Sequence, residues 1–208
     1  MNIENSLSIV TGASTGIGRE VALAISRQGS TVALVGRNIN ELKITERLII
    51  SGGGKAEIIV ADLKDDKQII NLVKTIQAKL GKISILVNAA GVWHDEERAF
   101  YGKRLFEIPV DQVREVLDVN LTSTMLLCRT VLTDMIELRG GKIINFSGTF
   151  AGGGAKWLPY YVSKKAVEEL TVALAEEMRV DNIQVNCVSP SDVATPSLTK
   201  FFPKDIEY

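Results

Sequence analysis

Residues 7–18 read Leu7-Ser8-Ile9-Val10-Thr11-Gly12-Ala13-Ser14-Thr15-Gly16-Ile17-Gly18. A short β-branched run passes without a break into glycines at 12, 16 and 18, and a helical pattern follows. Glycine permits a tight strand-to-helix turn and a close approach of backbone to a ligand. The helix behind the turn aims its unpaired N–H groups and the positive end of its dipole at that space, which suits a pyrophosphate. A glycine-rich turn that only packs strand against helix is the plainer account. The strand-turn-helix setting at the first crossover favours a nucleotide. Gly12, Ser14, Thr15, Gly16, Ile17 and Gly18 are therefore candidate cofactor residues.

Working outward, short apolar runs alternate with helical stretches. The strand candidates are Leu7–Thr11, Thr31–Val35, Glu57–Ala61, Ile83–Val87, Lys142–Phe146 and Gln184–Val188. Each is close to continuously apolar, as expected of strands covered on both faces. Helices are expected over Gly18–Gln28, Asn40–Ser51, Asp65–Leu80, Pro109–Arg139 and Tyr160–Arg179. Six β-α alternations imply an α/β fold: a Rossmann-like, doubly wound parallel sheet flanked by helices, a three-layer sandwich. With no interdomain linker or internal repeat, residues 1–208 read as one nucleotide-binding domain.

The bulk composition excludes several classes. The 208 residues are 46% hydrophobic and 24% charged with net charge −1, which suits a globular core and gives no nucleic-acid footprint. The start, MNIENSLSIV, lacks the basic and apolar regions of a secretion signal, and no apolar run approaches the roughly 18 residues that cross a bilayer. Cys128 and Cys187 lack ligand spacing and are expected to be buried, reduced thiols, consistent with a cytoplasmic protein. One histidine, His94, argues against a His-ligated metal or a His-based triad, so no metal site is expected.

In a doubly wound sheet, ligands bind at the carboxyl ends of the strands. After the second strand stands Gly36-Arg37-Asn38, with no acid to hold ribose hydroxyls. The forked guanidinium of Arg37 can instead pair a 2′-phosphate, so NADP(H) is expected in preference to NAD(H). The third strand ends in Ala61-Asp62-Leu63 and the fourth in Asn88-Ala89-Ala90-Gly91. The long helix carries Asn120, the fifth strand ends in Asn145-Phe146-Ser147-Gly148, and Pro159-Tyr160-Tyr161-Val162-Ser163-Lys164-Lys165-Ala166-Val167 follows.

That last run holds two Tyr/Lys pairs, each four apart and so on one helical face. Tyr160 and Lys164 continue to Val167, Thr171, Ala175 and Met178, an uncharged stripe. Tyr161 and Lys165 continue to Glu168, Glu169, Val172 and Glu176, a solvated face. A lysine above an uncharged stripe needs a reason to be there, so Tyr160/Lys164 is the preferred pair.

Together these features resemble the short-chain dehydrogenase/reductase family, in its single-domain branch, over residues 6 to about 198. The resemblance implies roles position by position. TGASTGIG matches the cofactor-phosphate turn, and Asp62, followed by Leu63, matches the adenine contact. Asn88, Ala90 and Gly91 match a motif that braces the sheet and lines the cofactor. Pro190, Val193 and Thr195 match the nicotinamide-side segment. Asn120, Ser147, Tyr160 and Lys164 match a catalytic tetrad, with Tyr160 and Lys164 also touching the cofactor. The implied activity is hydride transfer between NADP(H) and a small-molecule carbonyl or secondary alcohol.

The chemistry fits those residue types. Ketone reduction needs a proton at oxygen, and a free phenol, with pKa about 10, is poorly matched to that task at neutral pH. A neighbouring ammonium favours phenolate; a shift of about three units takes roughly 4 kcal/mol. Lys164 would tune Tyr160, Ser147 would hydrogen-bond the substrate oxygen, and Asn120 would hold a relay water. Asn is unfavourable inside a helix and fits a local kink there.

The chain also departs from the family pattern. Gly148 stands where a second serine is common, leaving Ser147 with Thr149 as the fallback hydroxyl, and Ser191 replaces a glycine. The C-terminal part, ending Phe201-Phe202-Pro203-Lys204-Asp205-Ile206-Glu207-Tyr208, looks shortened, which would leave an open substrate side and an unpaired sheet edge. The aromatics of Val92–Tyr101 either rim a substrate pocket or belong to a solvated loop. A homodimer or homotetramer through the Pro109–Arg139 and Tyr160 helices is expected from the resemblance. The rival readings are a non-catalytic nucleotide-binding sensor or scaffold, and a sugar-nucleotide epimerase or dehydratase, which this length disfavours.

Overall fold

The computed structural model describes residues 3–203. The elements run β1 (Leu7–Thr11), α1 (Gly16–Arg27), β2 (Thr31–Gly36), α2 (Ile39–Ser51), β3 (Lys55–Val60), α3 (Asp66–Leu80), β4 (Ile85–Asn88), α4 (Val110–Leu117), α5 (Ser123–Glu137), β5 (Gly141–Phe146), α6 (Leu158–Glu177), β6 (Ile183–Val188) and α7 (Pro196–Phe201). The six strands form one parallel sheet in the order β3-β2-β1-β4-β5-β6. Val10 of β1 lies beside Leu34 of β2 on one side and Val87 of β4 on the other. The strand order reverses there, and the crossovers on the two sides leave a crevice at the carboxyl ends.

Both faces of the sheet are covered, which is why the strands read as apolar runs. Ile9, Val35, Leu86 and Ile143 pack with Ile69, Val73 and Ile76 of α3 and Leu127, Val131 and Met135 of α5. Val10, Val32, Leu34 and Val87 pack with Ala22 of α1 and Leu42 and Ile49 of α2. Burying one such aliphatic side chain contributes about 2 kcal/mol.

The boundaries differ from expectation for local reasons. β4 starts at Ile85 rather than Ile83, because the Asp134 carboxylate takes the Ile83 N–H at 2.9 Å. α6 starts two residues early, at Leu158, with Pro159 in its first turn, where a missing N–H costs nothing. The Pro109–Arg139 stretch is not one regular helix. A π-helical turn, Asp118–Thr122, separates α4 from α5 and holds Asn120. Among the described residues β6 pairs only with β5, so it forms the outer edge. Cys187 on β6 is half-buried rather than a core thiol, whereas Cys128 is buried. α7 was not expected. Thr195 caps it, accepting from the Leu198 N–H at 3.3 Å. Among the described residues no helix is long and apolar enough to cross a membrane.

Candidate active site

A cavity of about 1030 Å³ opens at the carboxyl ends of the strands. Gly12, Ser14, Thr15, Gly16, Ile17 and Gly18 line its floor. Gly12 takes φ +66, and a Cβ there would stand 2.9 Å from the Ala90 Cα. At Gly18 a Cβ would run into the Gly12 carbonyl. Both positions exclude side chains and let the turn close. Thr15 precedes α1 without a side-chain cap, so the first N–H groups of that helix keep their capacity for an anion.

The charges nearby sort themselves. Glu41 lines the cavity but pairs with Arg19 at 2.7 Å. Arg19 also donates to the Ser14 carbonyl and stiffens the turn. Arg37 lines the same end, exposed and with no ion pair among the described residues. Asp62 and Leu63 lie on the wall, the Asp62 carboxylate accepting from the Lys64 N–H at 3.0 Å. Ala89, Ala90 and Gly91 line the cavity too. Asn88, expected among them, does not. Its amide donates across the sheet to Asn145 Oδ1 at 2.9 Å, and its Oδ1 is buried without a partner. Pro190, Val193 and Thr195 close the opposite wall, with Thr195 Cγ2 3.1 Å from the Cβ direction of Gly16.

α6 orients its two Tyr/Lys registers as the stripe argument requires. Val167 and Thr171 below Lys164 are buried, and Lys165 turns outward to pair with Glu168 at 2.8 Å. Tyr161 packs edge-on against Phe150, ring centroids 5.0 Å apart. Tyr160 and Lys164 line the cavity. The Lys164 ammonium is enclosed and donates to the Phe146 carbonyl at 2.8 Å. That is its one hydrogen bond to the described residues, although an ammonium has three donors. It lies 5.7 Å from the Tyr160 ring centre and 3.4 Å from the Cβ direction of Gly91. A buried ammonium with free donors beside a glycine that yields space fits a ribose held against it. The glycine turn, Arg37 and Lys164 together fit a dinucleotide.

Asn120 is buried, and both ends of its amide are engaged. Oδ1 accepts from the Val92 N–H at 2.7 Å. Nδ2 donates to the Val92 carbonyl at 3.1 Å and to Ser163 Oγ at 3.0 Å. The side chain thus fastens the segment after β4 to α6, rather than standing free to hold a relay water.

Ser147 departs further from its expected place. Its hydroxyl donates to Glu168 at 2.6 Å and to the Lys164 carbonyl at 3.1 Å. Thr149, the fallback, donates to the Ser189 carbonyl at 2.9 Å. The position that faces Tyr160 is Gly148, whose Cβ direction ends 4.0 Å from the phenol oxygen. Ser147, just past the end of β5, still lines the cavity, but its hydroxyl is taken up by Glu168 and Lys164 of α6.

Burial sets the ionisation of the pair. It pushes the Tyr160 phenol up to about 12 and the Lys164 ammonium down to about 8. The expectation that Lys164 holds Tyr160 below its usual value is not met; burial raises the phenol instead. At neutral pH the phenol keeps its proton and the lysine its charge.

Of the aromatic wall, the sequence offered only the Val92–Tyr101 segment, as one of two readings. Trp93, His94, Tyr101, Trp157 and Phe202 line the cavity beside Tyr160. Trp157 stands 5.9 Å from Tyr160, 4.9 Å from Tyr101 and 5.9 Å from Phe202, centre to centre. Phe202 stacks on Trp93 at 6.1 Å. Trp93, His94 and Tyr101 of the Val92–Tyr101 segment therefore line the cavity, and Ser197 and Leu198 of α7 line it as well. The available signal was Trp157, one helical turn before Tyr160.

The chain matches the family model for short chain dehydrogenases over residues 7–205. The BbsD subunit of a hydroxy(phenyl)methylsuccinyl-CoA dehydrogenase from Thauera aromatica is 32% identical over 208 residues, covering 100% of this chain and 81% of that protein. A metagenomic short-chain oxidoreductase solved with NADP superposes with TM-score 0.84 at 32% identity, covering 93% of this chain and 85% of that one. A xylitol dehydrogenase solved with NAD+ gives TM-score 0.83 at 28% identity, covering 92% and 72%.

Proposed function

The chain belongs to the short-chain dehydrogenase family, and on that premise we propose that it is an NAD(P)-dependent oxidoreductase acting between NADP(H) and a carbonyl or secondary alcohol. The observation that carries this reading is Lys164: an enclosed ammonium with one protein acceptor, placed between Tyr160 and the small residue Gly91. A structural lysine would be fully paired or would reach solvent. Residues 1–208 act as one nucleotide-binding unit. The turn Gly12–Gly18 and the start of α1 hold the pyrophosphate, Asp62 and Leu63 flank the adenine, and Lys164 holds the nicotinamide ribose. The nicotinamide supplies or accepts the hydride.

The protein's own residues handle the proton. With a phenol at about 12, Tyr160 is a proton donor at neutral pH, and it gives its proton to the substrate oxygen in the reductive direction. The Lys164 ammonium then offsets the phenolate charge in a low-dielectric site. Such a positioned acid contributes about 10²–10⁴ in rate. Asn120 acts as a positioning residue, holding Val92 and Ser163 so that Gly91 and Lys164 keep their spacing.

The second reading, a nucleotide-binding protein with little turnover, draws on one observation. Neither Ser147 nor Thr149 offers a free hydroxyl beside Tyr160. The preference for NADP(H) rests on Arg37 being unpaired while Arg19 neutralises Glu41. Two free thiols support a reducing, cytoplasmic setting. Met125 on α5 and Val162 and Val172 on α6 stay exposed, the faces expected to pair in a homodimer.

Parallel titrations with NADPH and NADH test the proposal. NADPH is expected to bind tighter, and Arg37→Ala to weaken NADPH about tenfold, the scale of one charged hydrogen bond, while leaving NADH unchanged. Equal affinities in the unmodified protein would remove the NADP assignment; no binding of either would remove the enzyme assignment.

A further inference from the structure

We infer that the substrate is an uncharged carbonyl or secondary alcohol carried on an aromatic ring, seated against Trp157 with its oxygen at Tyr160; this rests on the oxidoreductase reading above. Three segments distant in sequence supply the wall: Trp93 and Tyr101 after β4, Trp157 before α6, and Phe202 after α7. No two of these elements need an aromatic residue for the sheet, whose core is aliphatic. Their rings instead meet at one place, around Trp157, beside the phenol that carries the proton. Flat faces grouped in this way favour offset or edge contact with another ring.

The charges make the same point by their positions. Among the described residues the lysines and arginines lining the cavity are Arg37, at the nucleotide end, and Lys164, which is enclosed. Lys200, on α7, is held by the Glu96 carbonyl at 2.7 Å and lies over the Phe201 ring. With Lys164 given to the ribose, a carboxylate or phosphate near the reacting carbon therefore meets no other lysine or arginine of the cavity lining except Arg37 at the far end. A charged group entering an aromatic recess without a partner is strongly disfavoured.

A ring lying on Trp157 brings a benzylic oxygen to Tyr160, because the two side chains are one helical turn apart with ring centres 5.9 Å apart. In oxidation the carbinol carbon loses its hydrogen with two electrons, as hydride, to NADP+. The hydroxyl proton passes to Tyr160, which enters this direction as the phenolate offset by the Lys164 ammonium; the ketone, NADPH and the neutral phenol are the products, and the phenol returns its proton to solvent. Charge and atoms balance with no further reactant.

The chain's two tryptophans both lie in this wall, so intrinsic fluorescence reads the cavity directly. Energy transfer from tryptophan to NADPH first tests the nucleotide site alone. The NADP+-loaded protein is then offered 1-indanol, 2-butanol and 3-hydroxybutyrate. We expect kcat/KM for 1-indanol about 30-fold above 2-butanol, the scale of one buried ring, with the anion poorest. Trp157→Ala is expected to lower kcat/KM for 1-indanol at least tenfold, mainly through KM, and for 2-butanol less than threefold. Trp157→Leu, which preserves apolar volume, is a second variant should alanine unfold the protein. It is expected to lower kcat/KM for 1-indanol severalfold more than for 2-butanol, so that most of the ring preference is lost. The inference is overturned if NADPH binds but the ring alcohol shows no advantage, if the anion is preferred, or if both variants lower all substrates alike. Absence of NADPH binding instead removes the underlying oxidoreductase reading, and the substrate assignment with it.

Discussion

The two ends of the cavity are built in opposite ways. The nucleotide end is made of backbone: glycines at 12, 16 and 18, the uncapped start of α1, and the strand-end residues Ala89 to Gly91. The substrate end is made of side chains from the 92–104 segment, the residues around 148–157 and α7. A dinucleotide presents the same phosphates and riboses to every protein that binds it, so the residues that can receive it are few. A substrate pocket needs only complementary shape, which distant segments can supply in many ways. Tyr160 and Lys164 lie at the boundary and serve both ends.

The largest expected effect breaks the two ends apart. Tyr160→Phe keeps the ring that contacts Trp157 and Phe150 but removes the proton. Turnover is expected to fall about 10³-fold, the value of a positioned acid, with NADPH affinity changed less than threefold. A parallel loss of affinity in the titration would mean that the phenol belongs to the nucleotide end.

Lys164→Met comes next and couples both ends. Turnover is expected to fall about 10²-fold, as for removal of one preorganised charge, and NADPH binding to weaken as well. Stability should not fall, because an enclosed ammonium with one acceptor is itself a cost. The pH dependence has a definite sign. The folded value, about 8, lies below the ordinary 10.5. Between these values the unfolded chain holds more protons, so this group makes stability rise with pH across that window. The Tyr160 phenol, raised from 10.0 to about 12, acts oppositely: its contribution is present below pH 10.0 and is lost toward about 12. Denaturant melts of wild type and Lys164→Met from pH 7 to 10 read the difference, and the wild-type reduction rate should decline above about pH 8.

The smallest effect sharpens the comparison at the substrate end. Gly148→Ser places a hydroxyl toward Tyr160 and is expected to raise kcat about threefold to tenfold, the value of one neutral hydrogen bond. Ser147→Ala should change kcat less than threefold while costing about 1 kcal/mol of stability through the lost Glu168 bond. The reverse pattern in steady-state kinetics would restore Ser147 to the substrate oxygen.

The fold was legible because its signals are periodic and redundant. Six apolar runs separated by helical stretches can close only as a parallel sheet covered on both faces. The choice of Tyr160/Lys164 over Tyr161/Lys165 was legible too, since a helix converts spacing into direction, and Glu168 revealed the solvated face. Ser147 lines the cavity, yet the direction of its hydroxyl, toward Glu168, was not legible, because it depends on a partner on α6. Asn88 turns from the cavity to pair with Asn145 across β4 and β5, the sheet-bracing part of what the resemblance implied.

By itself the sequence determined the parallel, doubly wound sheet, the glycine turn, the absence of an acid at Arg37 and which face of α6 carries Tyr160 and Lys164, all of them local patterns acting through fixed backbone geometry. Tertiary structure alone decided that burial pushes Tyr160 and Lys164 in opposite directions, that Gly148 rather than Ser147 faces the phenol, and that Trp93, Tyr101, Trp157 and Phe202 meet in one wall. Each depends on desolvation or contact between segments far apart in the chain, and neither is encoded by spacing along it.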